Sequence, residues 1–268
     1  MIRRPIKQGT AFLLGVLSLA LLLGGYTWLA NRQHEQNPDD TTIPTWKQLA
    51  RGIVVAVEVN PRSKDRWLVE DAKASGMRLF TGLGLGIAGA LGLGMLMGCF
   101  APVEAFLNPP LSLLAKIPPT AALAVFFVLV GTDTNMYIAM IAFGILPTLA
   151  MTVHLAVKEF PEELQFKAYT LGASHMEVIW AVIFRYVFPK LIDAVRLVIG
   201  PAMVFLIAAE MLVGDVGFGY RIRLQSKLLN MNVVYPYLAL LAAFGFGMDY
   251  ALKLLQKKLC PWYEGFRE

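Results

Sequence analysis

The sequence predicts an all-α membrane protein, and two observations lead to that fold: an apolar composition and a series of long apolar stretches. Of the 268 residues, 57% are hydrophobic and only 16% are charged, and the mean hydropathy is +0.57. Soluble domains carry about 25% charged residues, so much of this surface faces something other than water. A bilayer core needs roughly 20 mostly apolar residues per helix, and six such stretches follow one another. A bundle of six transmembrane helices is therefore expected.

The apolar stretches divide the chain into a tail with the first span (1–30), an external segment (31–78) and a core (79–268). The six predicted spans are about Ala11–Ala30, Leu79–Phe100, Ser112–Val130, Met136–Val157, Leu191–Val213 and Val234–Leu255. A basic start followed by an apolar run also describes a cleaved signal peptide, which leaves a second interpretation of the first span open. We favour an uncleaved anchor, because the apolar region of a signal peptide is typically about 7–15 residues long.

Basic residues predict the orientation. The tail before the first span is purely basic, and the tail after the last span is rich in lysine. With an even number of spans both tails lie on the same side, and the positive-inside rule places both termini in the cytoplasm. The segment 214–232 would then be external although it carries Arg221, Arg223 and Lys227 against Asp215 alone, which conflicts with this rule. The tail residues concerned are Arg3, Arg4, Lys7, Lys253, Lys257, Lys258 and Arg267.

Several function classes find no support in the residues. Cys99 and Cys260 lie far apart in sequence, and no Cys/His cluster has metal-ligand spacing, so neither a disulfide nor a metal site is expected. The glycines between Gly82 and Gly98 resemble a phosphate-binding loop only superficially, because no Gly-Lys pair exists anywhere in the chain. They predict close helix packing instead. No basic patch with exposed aromatics predicts nucleic-acid binding, and no set of catalytic side chains predicts an enzyme.

The segment 158–190 is too polar to span a bilayer and too apolar for a simple solvated loop. Pro161 and the two glutamates after it are typical of a first helical turn, Gly172 would end that helix, and Ser174 would cap a second one. A rigid cytoplasmic protrusion and an interfacial helix on the lipid surface both fit this pattern.

The same segment resembles the cytoplasmic signature loop of binding-protein-dependent ABC transporter permeases, in the nitrate/sulfonate/taurine/bicarbonate branch. It keeps the residues Ala168, Thr170, Leu171, Gly172, Ala173, Ser174, Ile183 and Pro189. Two positions depart from the pattern: Phe166 stands where the usual Glu is found, and Arg185 replaces the first closing Pro. Further similarity lies in Ile117-Pro118-Pro119, in Ala209-Glu210 and in Gly217-Phe218-Gly219, so that the resemblance covers roughly 68–264.

This resemblance implies a six-helix, type I importer permease in the bacterial inner (plasma) membrane, without catalysis or a cofactor of its own. Two copies of a cytoplasmic ATPase would bind ATP and Mg²⁺, an external or periplasmic solute-binding protein would deliver substrate, and a second, identical permease subunit would complete the pathway. The substrate would be a small oxyanion or small organic acid. The implied contact with the ATPase comprises Phe166, Lys167, Ala168, Thr170, Leu171, Gly172, Ala173 and Ser174.

Glu210, Pro118 and Pro119 are the candidates for the pathway or its gate. A carboxylate among apolar residues at membrane depth is costly and usually faces protein or a water-filled path, so Glu210 fits a gate or a paired structural carboxylate. Asp249 is expected to pair with Lys253 one helical turn away. An ATP-independent channel or secondary transporter is the alternative function, and it would need inverted repeats or broken helices. A membrane scaffold is a third reading, which leaves the signature loop unexplained.

Overall fold

The computed structural model describes residues 7–38, 40–59 and 66–263, and helices make up nearly all of it. Five helices are long and apolar enough to cross a membrane, as judged by length and composition within that part of the chain. The helices are α1 (Gln8–Gln36), α2 (Trp46–Val57), α3 (Trp67–Cys99), α4 (Ala101–Leu114), α5 (Leu123–Val130), α6 (Thr134–Lys158), α7 (Glu162–Thr170), α8 (His175–Glu177), α9 (Phe184–Val213), α10 (Phe218–Lys227) and α11 (Met231–Leu259). Arg3, Arg4 and Arg267, used above for the orientation, lie outside the described residues.

Two predicted spans differ from the helices found. The stretch Ser112–Val130 is not one helix: α4 ends at Leu114, the chain turns through residues 115–122, and α5 is only 8 residues long. Mean hydropathy over the stretch does not reveal this break, although Lys116 and the pair Pro118-Pro119 within it disfavour a continuous helix. The second span begins at Trp67 rather than Leu79, so α3 is 33 residues long and extends into the segment expected to be external. The polar residues of its first turns explain the misplaced boundary.

The chain divides into two compact units, of which the smaller comprises residues 1–68 and 222–239. Within it, Thr45 caps α2 through a reciprocal capping box with Gln48. The ring of Tyr26 packs edge-on against Trp46 and Tyr235, with centroids 5.3 and 6.2 Å away. Gly52 lies directly against the backbone carbonyl of residue 232. A short amphipathic helix is thereby held against two long apolar ones.

The larger unit comprises residues 69–221 and 240–268, and its centre is the packing of α6 against α9 and α3. Five glycines of α3 face α6 so closely that an added Cβ would lie within 3.0 Å of an α6 atom, as the spacing of the glycines predicts. They are Gly82, Gly86, Gly89, Gly94 and Gly98. On the opposite side Gly84 and Gly92 meet nothing within 4 Å. The glycines thus form one contact face.

Candidate functional site

The segment from α7 to the start of the long helix consists of a helix, a glycine turn and a second helix, as the pattern of prolines, glycines and polar residues predicts, and we call residues 162–177 the protrusion. α7 begins after Pro161 with two glutamates in its first turn and ends in a Schellman motif. In that motif the N–H of Gly172 donates to the carbonyl of Tyr169 (2.9 Å), and the N–H of Ala173 donates to the carbonyl of Ala168 (3.1 Å). Gly172 has φ +85°, a conformation that side chains with a Cβ rarely adopt.

Beyond the turn the chain is fixed again within two residues. Ser174 forms a capping box with Glu177, whose carboxylate accepts bonds from the Ser174 N–H (2.7 Å) and hydroxyl (2.8 Å). Tyr169 and His175 share a hydrogen bond of 2.8 Å across the turn. α8 then continues through a π-helical turn, Val178–Ile183, into α9. The second helix predicted here is therefore the beginning of the fourth of the five long helices, which runs from His175 through the π-helical turn to Val213.

The residues expected to contact an ATPase divide into a buried side and an exposed side. Ala168 and Ala173 are half-buried and pack against the core of the larger unit. Phe166 and Leu171 point outward, with 63% and 88% of their surfaces exposed. Lys167, Thr170, Gly172 and Ser174 are exposed as well. The protrusion therefore presents large apolar side chains on a rigid backbone, which is typical of a surface that another protein covers.

Pro118 and Pro119 lie in the break between α4 and α5, at the edge of a cavity of about 310 Å³. The middle turns of α6 and α9 form the other walls, with Gly144 and Phe205 among the lining residues. A Cβ on Gly144 would lie 2.4 Å from the Phe205 ring and 3.0 Å from the Pro119 ring. Glycine at position 144 therefore allows α6 to pack closely against Phe205 and Pro119 at this wall of the cavity. Irregular backbone at membrane depth is tolerated where it is buried in protein or lines a water-filled cavity.

Glu210 does not lie in this cavity; it is fully buried near the end of α9. Its carboxylate accepts hydrogen bonds from Ser75 (2.8 Å), from Arg78 (2.9 Å) and from the N–H of Gly219 (2.9 Å). Arg78 also donates to the carbonyl of Val216 (2.8 Å). These contacts fit a paired structural carboxylate, which the sequence offers as the alternative to a gate residue. They join α3, α9 and α10.

A second buried pair extends this network. Asp71 accepts a bond from the Arg221 guanidinium (2.8 Å) and another from the N–H of Gly217 (2.9 Å). The Ser75 hydroxyl in turn accepts from the N–H of Phe218 (3.0 Å). Arg78 lies over the ring of Tyr137 on α6, 4.1 Å from its centroid. We call the side chains of Asp71, Ser75, Arg78, Glu210 and Arg221 the buried charge network.

Sequence reasoning missed the α3 half of this network, since it assigned residues up to 78 to an external segment. The signal was present: Asp71, Ser75 and Arg78 are spaced by four and three residues, which places them on one helical face. The network also bears on the conflict in the positive-inside count, because Arg221 is buried and paired with Asp71 rather than free in a loop. Asp249 pairs with Arg196 on α9 (2.8 Å) rather than with Lys253, so that expectation was wrong.

Two further ionic contacts lie near the C-terminal end of α6, where Lys158 and His154 meet Glu104. Lys158 pairs with Glu104 at 2.8 Å. His154 is 4% exposed and lies 3.3 Å from the same carboxylate. Among the described residues no group of three His, Cys, Asp or Glu side chains could hold a metal ion.

Comparison with known proteins defines the class to which these features belong. The solved structure of the MetNI methionine ABC transporter in an inward-facing conformation has a chain with the same fold, with a TM-score of 0.64. The similarity covers 72% of this chain and 95% of that one at 19% identity. The fold is thus that of a type I importer permease, all-helical with five candidate membrane spans in the described residues.

Residues 84–260 match the family of binding-protein-dependent transport system inner membrane components, and the chain belongs to this family. The taurine transport permease TauC of Escherichia coli (strain K12) is 28% identical over 199 residues, which cover 74% of this chain and 72% of that protein. The putative aliphatic sulfonates permease SsuC of Bacillus subtilis (strain 168) is 29% identical over 195 residues, covering 72% and 68%. The chain is therefore a multi-pass inner-membrane permease, a non-catalytic component of an ABC importer with ATPase and binding-protein partners. A broken helix, expected above of a secondary transporter, occurs here in an ABC permease.

Proposed function

We propose that two copies of this chain form the pathway of an importer for a small oxyanion or small organic acid, such as a sulfonate. Both termini lie in the cytoplasm, and α4 with α5 forms a sixth, broken span. Two copies of an ATPase that binds ATP and Mg²⁺ dock on residues 162–177, while this subunit needs no cofactor. A solute-binding protein delivers substrate from outside. The transport of taurine and sulfonates by relatives supports the substrate class.

The observation that carries the docking proposal is a protrusion whose backbone is ordered by its own hydrogen bonds and which still exposes large apolar side chains. Leu171 is 88% exposed, and Phe166 and Met176 are each 63% exposed. Full burial of one such side chain contributes about 1.5–3 kcal/mol. Because the Schellman motif and the capping box already order the backbone, little conformational entropy remains to be lost when a partner covers it.

Alternating access would follow from the continuity of the helices. ATP-driven closure of the two ATPases would move the protrusions, and each protrusion continues as one helical body into α9. α9 carries both a wall of the cavity, at Pro201 and Phe205, and the buried charge network, at Glu210. A displacement at the cytoplasmic end would therefore reach both places.

The test is the substitution Leu171→Asp in the complete transporter. Gly172 has φ +85°, so a substitution there would also strain the backbone, and Leu171 is the more direct probe of a contact with another protein. We expect Leu171→Asp to leave the subunit folded and inserted but to abolish co-purification with its ATPase and ATP-driven uptake of the sulfonate taurine. Leu229→Asp is the matched control, because Leu229 is 56% exposed at a positive φ that Asp tolerates. Normal assembly of the Leu171→Asp complex would disprove docking at this surface.

A further inference from the structure

The cavity beside the break between α4 and α5 is lined by one charged residue that has no role in the proposed function. Lys116, two residues beyond the end of α4, lines it together with Pro119, Gly144, Thr148, Pro201 and Phe205. Among the described residues that line the cavity, Lys116 is the one with a charged side chain. The remaining wall is mostly apolar, with the Thr148 side chain exposed. An isolated cation thus stands in a cleft of otherwise uncharged residues.

The helices that form the cavity place it at the middle of the membrane. Gly144 and Thr148 follow Thr134 by 10 and 14 residues in the 25-residue helix α6. At 1.5 Å per residue they lie roughly 15 and 21 Å along a helix about 37 Å long. Pro201 and Phe205 precede the end of α9 at Val213 by 12 and 8 residues, which is also well inside the apolar stretch. The cavity is far from both ends of these helices.

A lysine at this depth needs a physical reason, because a charged group at the bilayer centre is costly unless it faces protein partners or water. One reason is local: a cation just beyond a helix C-terminus interacts favourably with the helix dipole, by about 0.3–1 kcal/mol. That effect does not require a cavity, a broken span or the close packing at Gly144. Together these features describe a hydrated site in which an anion would meet the ammonium group.

We infer that this cavity is a substrate subsite of the translocation pathway and that Lys116 makes it select anions, sulfonates and small carboxylates among them. The inference rests on the proposal that this chain conducts solute, and it adds the residue that sets the charge of the cargo within the membrane. The ammonium group attracts an anionic headgroup into the pathway and disfavours cations of the same size.

A test that does not depend on knowing the substrate uses a cysteine in the cavity wall. The free thiols Cys99 and Cys260 are replaced by alanine, and Thr148→Cys is introduced into the full-length subunit in complex with its ATPase. The modification rate is measured with 2-sulfonatoethyl methanethiosulfonate, an anion, and with 2-(trimethylammonium)ethyl methanethiosulfonate, a cation. We expect Lys116→Gln to lower the ratio of anion rate to cation rate by about tenfold, as removal of a nearby charge predicts. Lys116→Arg should retain the ratio.

Lys258→Gln is the matched control, since Lys258 is an exposed lysine in the last turn of α11 and lies outside the cavity. It should leave the ratio unchanged. A Thr148→Cys thiol that reacts with neither reagent would overturn the subsite, because the cavity would then be closed to water. A reactive thiol whose ratio ignores Lys116 would overturn the anion selection. Failure of the importer proposal would show separately, as absent ATP-driven uptake while the ratio of the two modification rates still depends on Lys116.

Discussion

Replacement of Glu210 by Gln is the sharpest perturbation of the buried charge network. Arg78 and the N–H of Gly219 donate to different oxygens of the carboxylate, Oε1 and Oε2. An amide has one oxygen, so Glu210→Gln turns an NH₂ group toward one of these two donors and leaves Arg78 with a neutral partner. The Arg78 side chain is 6% exposed, and its other acidic neighbour, Asp215, is 3.9 Å away. Breaking a buried ion pair by removing one partner costs about 3–5 kcal/mol.

A loss of that size lowers the melting temperature of a chain of this length by roughly 6–20 °C. Thermal unfolding of the purified complex, followed by size-exclusion chromatography after heating, measures it. Glu159→Gln is the matched control, because Glu159 makes an exposed pair with Lys190 that is worth at most about 1 kcal/mol. In an Arg78→Met background, Glu210→Gln should cost much less than alone. If Glu210→Gln lowers the melting temperature no more than Glu159→Gln, the network does not hold α3 to α9.

Two glycine pairs give further predictions. Gly94→Ala places a Cβ 2.5 Å from an α6 side chain and should lower the melting temperature of the complex by several degrees. Gly92→Ala, whose added Cβ meets nothing within 4 Å, should leave the melting temperature equal or raise it slightly. Equal losses of melting temperature in the two variants would contradict the one-sided contact face. Gly52→Ala brings a Cβ within 1.9 Å of a backbone carbonyl and should detach α2, seen as faster proteolysis at its ends, whereas Gly24→Ala in α1 is open on all sides and should behave as wild type.

The local structure of the protrusion followed from its sequence because each signal there acts over a few residues. A proline before two glutamates begins α7, Gly172 ends it, and Ser174 caps the next helix. These choices depend on the backbone conformation of a residue and its near neighbours, which the sequence specifies directly.

The break in the third span and the α3 half of the charge network were missed for different reasons. Hydropathy records how apolar a stretch is, and it overlooks the pair Pro118-Pro119, which ends a continuous helix there. The partners of Asp71 and Arg78 lie more than 130 residues away in sequence. The spacing of Asp71, Ser75 and Arg78 indicates a shared helical face, but their polarity is equally typical of an exposed segment next to an apolar span.

The turn at Gly172 is fixed on both sides, because the Schellman motif precedes it and the capping box follows it. A push on the protrusion is therefore passed to the 39-residue helical body from His175 to Val213, which acts as a lever as long as its π-helical turn and its two prolines, Pro189 and Pro201, do not bend. At 1.5 Å per residue that lever is roughly 58 Å long, so a tilt of about 5° about one end displaces the other by roughly 5 Å. A displacement of that size is nearly twice the length of the hydrogen bonds around Glu210. A straight helix of this length would convert a small rotation at the protrusion into a repacking of the charge network at the far end.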